Sequence, residues 1–257
     1  MTEETNRSWE AVSQEDSDAY KATIRKNVLR WSGSPLTIVF AVLLSAVLLY
    51  GGLHASALMP ELIPTGFVEV FAFASRWGAI GFPAITLLGL WLVVFNRFLV
   101  KVTSFGFWLL RFMALMHGIQ YCLFGVFIIV FSIIAMFTDF WNGLLSLVVY
   151  AGLIYFGIRF LIRIRAFIAE LEMAAESRLI HHPDPTGVPG YLFAFAGIEV
   201  LGAFFFWIDG RSIETVADLF GAVDIVTLCL NAVLHLFAAF LLLRYYKDVT
   251  KVPLHRQ

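Results

Sequence analysis

Charge is what this sequence has least of. Only 14% of its 257 residues are Asp, Glu, Lys or Arg, against about a quarter in a soluble domain. Hydrophobic side chains make up 60% and mean hydropathy is +0.82. That balance excludes an ordinary water-soluble domain and assigns the chain to a membrane. A basic footprint is also missing. The net charge is −1, and the 18 Lys and Arg are dispersed rather than gathered on one stripe, which argues against a nucleic-acid partner. Cysteine is limited to Cys122 and Cys229. Each lies inside an apolar run, where a thiol behaves as a small hydrophobe, so neither a disulfide framework nor a zinc site is expected.

Enzyme signatures are absent as well. There is no Gly-rich phosphate loop, no HExxH zinc helix and no GxSxG nucleophile turn. Nor do arginines recur at every third residue within an apolar run, as a voltage sensor requires. The expectation is a protein that is not an enzyme and carries no cofactor. The first 30 residues are polar and acidic, without the apolar stretch of a cleavable signal peptide, so insertion is expected to rely on the spans themselves.

What the sequence has in quantity is long apolar runs. About 20 residues of helix cross about 30 Å of hydrocarbon, and six runs reach that length, at residues 36–59, 77–96, 112–137, 141–162, 190–208 and 222–243. Orientation follows from the cations, which are retained on the cytoplasmic side. With the N-terminus inside, the inner segments hold five, three, four and four Lys or Arg, whereas the outer ones hold only Arg76 and Arg211. A missed or invented span would move every later loop to the other side and destroy this bias. The predicted fold is therefore an all-α integral membrane protein, a six-span helix bundle with both termini in the cytoplasm, placed in the cytoplasmic (plasma) membrane.

The predicted organisation is a cytoplasmic segment at 1–34, a membrane domain at 35–246 and a tail at 247–257. Tyr20, Ile24, Val28 and Trp31 recur at helical spacing beside Lys21, Arg25, Lys26 and Arg30, which predicts an amphipathic helix on the inner membrane surface. The fourth span should run on as a helix, with Ile164, Phe167, Ile168, Leu171 and Ala175 on one face, to a stop near His182. There the run His181 to Gly190 supplies three prolines and two glycines. The region 163–189 is thus an inner helical extension and loop. Residues 62–75, apolar but too short to span, read as an in-plane or re-entrant helix with Thr65 as N-cap.

Packing in lipid relies on small residues that let backbones approach. Candidate seams are Ala41, Ser45, Gly52 and Ser56 on the first span, Gly118, Gly125 and Ser132 on the third, and Gly152, Gly157, Gly197 and Gly202 on the fourth and fifth. Pro83 should bend the second span. Trp31, Trp77, Trp141, Trp207, Tyr245 and Tyr246 fall at span ends, as in an aromatic belt.

An ionisable residue at mid-bilayer costs about 2.5–3.5 kcal/mol on insertion scales and is a functional candidate by default. Glu199 is the clearest case, nine residues beyond Gly190 on the fifth span. The sixth span offers one polar stripe, Asp224, Thr227, Asn231 and His235, at helical spacing. Asn231 and His235 fall near the depth of Glu199, so a contact from Glu199 to either is expected. On the third span, His117 and Gln120 form a smaller polar group beside Tyr121, either extending the same path inward or, for His117, bonding a nearby backbone carbonyl. His117 and His235 are the best-placed pair for a b-type haem, but two unconnected histidines fall short of a haem pocket. Metal binding by His181, His182 and Asp184 is similarly weak.

Two functions fit. One is a non-catalytic accessory or scaffold subunit whose partners are the bilayer and a membrane protein or a second copy of itself. The other is a small transporter or channel with a polar or proton path through Glu199, Asn231 and His235, Asp224 at its outer mouth and His117 and Gln120 toward its inner end.

Overall fold

The computed structural model describes residues 14–62, 68–96, 102–209 and 225–247, and every regular element among them is helical. In chain order these are α1 (Gln14–Ser32), α2 (Pro35–Leu62), α3 (Val68–Val94), α4 (Thr103–Met136), α5 (Phe140–Ala175), α6 (Val188–Asp209) and α7 (Ile225–Tyr245). By length and composition α4, α5 and α7 can each cross a membrane. Ser17–Ser32 and Pro35–Gly51 together form a pair bent by 50°, and Ile80–Val94 and Val188–Phe204 are shorter apolar stretches. Thr65, Asp224 and Arg211 lie outside the described residues.

Local chemistry sets the breaks between helices. At the α1–α2 bend, Ser34 Oγ accepts the Thr37 N–H at 3.3 Å while Pro35 opens α2, a helix start in which proline gives up a donor that would have no partner. Asn96, nearly fully buried, donates from Nδ2 to the Leu29 carbonyl at 2.7 Å and so ties the end of α3 to the end of α1. Asp139 caps α5 by accepting the Asn142 N–H at 3.2 Å.

The α5 helix ends at Ala175, several residues before the expected stop near His182. Ser177 adopts φ +59 there, and the N–H groups of Ser177 and Arg178 return to the carbonyls of Ala174 and Met173. This is a Schellman stop with serine in the position that usually belongs to glycine. The segment that follows tucks under the helices, with Pro183 and Pro185 fully buried.

Helices α2 to α7 each pack against their chain neighbours, and α7 returns to α2, so six helices close a ring. One core joins Ile24 and Val28 of α1, Val93 of α3, Phe107 of α4, Phe167 and Leu171 of α5, Val188 of α6 and Tyr245 of α7. This α1 end holds most of the buried apolar side chains. Toward the other end, α4 and α5 form a hairpin whose flanks are widely exposed. Its register is fixed where a side chain would not fit: a Cβ at Gly143 would lie 2.5 Å from the Met136 backbone nitrogen, one at Gly125 would lie 3.1 Å from Ile154, and Gly157 faces the Tyr121 ring.

Several expectations need correction. Residues 68–75 are not a separate in-plane helix, since α3 runs unbroken from Val68 through Pro83 to Val94. The apolar face of α1 is spent on protein rather than lipid, with Ile24 and Val28 fully buried. Trp31 and Tyr245 pack edge to face, ring centres 4.7 Å apart, with Tyr245 buried in the core and Trp31 packed against it rather than facing outward. Trp141 and Trp207, by contrast, are 76% and 75% exposed. Gly118, Gly152 and Gly197 have nothing within 4 Å of a Cβ, so they are not packing seams. The close approach between α3 and α4 occurs instead at Gly89 and Gly106, where a Cβ on Gly106 would lie 2.8 Å from the Gly89 carbonyl oxygen.

Candidate intramembrane polar site

Glu199 and His235 meet because their helices are antiparallel, α6 leaving the α1 end and α7 returning to it. Glu199 lies eleven residues after Val188 and His235 ten before Tyr245, which puts both about 15 Å from the α1 end at 1.5 Å per residue. His235 Nδ1 is 2.8 Å from Glu199 Oε2. The carboxyl is enclosed, with Glu199 2% exposed, while His235 is partly exposed. The Phe195 ring, one turn before Glu199, lies 5.8 Å from the imidazole and shields one side.

Two proton placements satisfy this contact: a carboxylate accepting from Nδ1–H of an imidazolium, or a carboxylic acid donating to Nδ1 of a neutral ring. Both leave the pair with no net charge. Each group therefore relieves the other of the cost of standing unpaired away from water.

The other expected members do not join. Asn231 makes no hydrogen bond to Glu199 or His235 among the described residues. His117 is exposed on α4 and bonds through Nδ1 to the Met113 carbonyl at 2.8 Å, with Phe82 of α3 5.8 Å away. Gln120 is also exposed. The two histidines considered for a haem thus have different neighbours and separate hydrogen bonds. No group of three or more His, Cys, Asp or Glu side chains able to hold a metal occurs among the described residues. Asp184 instead closes its own turn, its Oδ1 accepting from the backbone and hydroxyl of Thr186, while its N–H donates to Glu170 Oε2 at 2.8 Å.

A second polar group sits at the α1 end and has no counterpart in the expected site. His182 lies near Tyr20, with ring centres 6.4 Å apart, and its Nδ1 is buried without a partner among the described residues. Burial holds this imidazole below its ordinary pKa, and the neighbouring His181 adds to the effect. Trp91 and Asn96 were likewise not singled out in the sequence. Trp91 donates to Ser45 Oγ at 3.1 Å and joins α3 to α2. A lone polar residue at the foot of an apolar run was the available signal for Asn96.

Compared with models of known protein families, with curated proteins and with solved structures, the chain matches none.

Proposed function

We propose that this chain is a six-span membrane protein with both ends on the cytoplasmic side, serving as a non-catalytic scaffold or accessory subunit. The topology is supported by two independent observations. The cation bias puts all but two of the Lys and Arg on one side. The ends of α1, α3, α4, α5, α6 and α7 that this threading assigns to that side contribute to one core.

The functional part rests on one observation: Glu199 is enclosed, and among the described residues its partner is His235. A path for a polar solute would draw the polar faces of α4, α6 and α7 together. Here His117 and Gln120 are exposed on α4, and the acid and imidazole satisfy each other. Such a pair fastens α6 to α7 as an interhelical hydrogen bond worth about 1 kcal/mol.

The test is proton and ion flux in proteoliposomes of the full chain, with empty vesicles and Glu199→Gln protein as comparisons. The expected result is equal flux in all three. Flux above empty vesicles that disappears in Glu199→Gln would replace the scaffold with the transporter. Maleimide labelling from each side of Arg178→Cys and Arg211→Cys, in a protein lacking Cys122 and Cys229, checks the topology separately.

A further inference from the structure

The inner part of the α4–α5 hairpin does not close. A groove of about 660 Å3 runs between the helices from Arg111 to Leu123 on α4 and from Ala169 to Ile158 on α5. Small residues line it on both sides, Ala114 and Gly118 on α4 and Ala166 and Ala169 on α5, and a Cβ on Gly118 would touch nothing within 4 Å. Its walls are otherwise aliphatic apart from Cys122, and its charge is confined to Arg111 and Arg165. These two arginines share one end. The hairpin register, with Gly125 against Ile154, sets Arg111 opposite residue 168, within one turn of Arg165.

The charge at that end does not cancel. Glu172 Oε2 lies 3.2 Å from Arg111 Nη1, whereas Arg165 is exposed and has no ion-pair partner among the described residues. Two cations against one carboxylate leave one positive charge at the head of an apolar trough. An occupant must therefore be apolar along about 18 Å of helix and anionic at one tip.

We propose that this groove is a binding site for an anionic phospholipid, with an acyl chain laid between α4 and α5 and the phosphate held by Arg165 and Arg111. Basic clefts between membrane helices on the cytoplasmic side are suited to such headgroups. The proposal rests on the topology above only for the choice of leaflet. A partner helix fits this groove less well, since it would seal Arg165 into an apolar contact unless it carried an acid.

Native mass spectrometry of the purified full chain, equilibrated with equal phosphatidylglycerol and phosphatidylcholine, tests the site. The expected result is preferential retention of phosphatidylglycerol, falling about fivefold in Arg165→Gln, kept in Arg165→Lys and unchanged in Arg178→Gln, which removes a cation elsewhere. Gly118→Leu, which fills the trough at an open position, should lower retention of bound lipid. Equal retention of the two lipids, or the same loss in Arg178→Gln as in Arg165→Gln, would overturn the site. So would a dimer in place of lipid adducts that Gly118→Leu abolishes, which would assign the groove to protein. Labelling at Arg178→Cys from the opposite side would fail the topology and leave the groove's preference standing.

Discussion

Removing His235 while keeping Glu199 should do more harm than removing both. In the His235→Ala protein a carboxyl only 2% exposed loses the one partner it has among the described residues. Leaving a buried polar group unsatisfied costs about 1–3 kcal/mol, and the lost imidazole packing against Phe195 adds to this. In Glu199→Leu the acid is gone, and the imidazole, already partly exposed, is left with a smaller penalty. The double variant Glu199→Leu/His235→Ala leaves neither partner of the pair buried and unsatisfied, so that penalty disappears.

The single His235→Ala change should therefore lower stability by about 2 kcal/mol, or about 4–8 °C in Tm for a chain of this size. The double variant should recover at least half of that. The assay is thermal unfolding in one detergent or nanodisc, followed by tryptophan fluorescence across the four corners of the cycle. A coupling energy under about 0.5 kcal/mol, the level at which independent sites simply add, would show that the pair does not hold α6 to α7.

Three further outcomes follow from single features. Ser177→Gly should raise stability by about 1 kcal/mol, because φ +59 strains any residue with a Cβ, and thermal unfolding reads this directly. Gly106→Ala should destabilise by about 1–3 kcal/mol, since its Cβ would overlap the Gly89 carbonyl, whereas Gly118→Ala should be neutral or mildly stabilising in the same assay. The segment 176–187 should loosen in acid. His182 is held below its ordinary value of about 6.5, so the undocked segment binds more protons between that value and the lower docked one. Docking is therefore strongest above pH 6.5 and weakens as pH falls below it. Hydrogen exchange of residues 176–187 at pH 7.5 and 5.5 should show this, and His182→Gln should flatten it.

The helices were legible because a long uninterrupted apolar run has few ways to satisfy its backbone other than as a helix. What the runs hid was where helices extend beyond their apolar stretch. The third run was cut at Arg111, yet α4 begins at Thr103, and the lost first two turns contain Gly106, the residue that brings α3 and α4 together. The Glu199–His235 contact was legible because depth on two antiparallel helices follows from counting residues. Asn231 fell out because one turn, about 5.4 Å, separates it from His235. His117 and Gln120 fell out for another reason. Depth says nothing of how a helix is rotated, and α4 presents them outward. The inward turn of Trp31 and Tyr245 was equally hidden, since an aromatic at a span end suits a headgroup and a core alike.

The meeting of α1 with the last turn of α7 sets an order of events during synthesis. Ile24, Val28 and Trp31 are made first, but the Tyr245 ring that Trp31 packs against is made more than 200 residues later. Until α7 has been made, the first helix has no complete seat and part of its apolar face stays uncovered. The chain thus closes by joining its beginning to its end, and a nascent protein that stalls before α7 exposes the very face by which a quality-control machine could detect it.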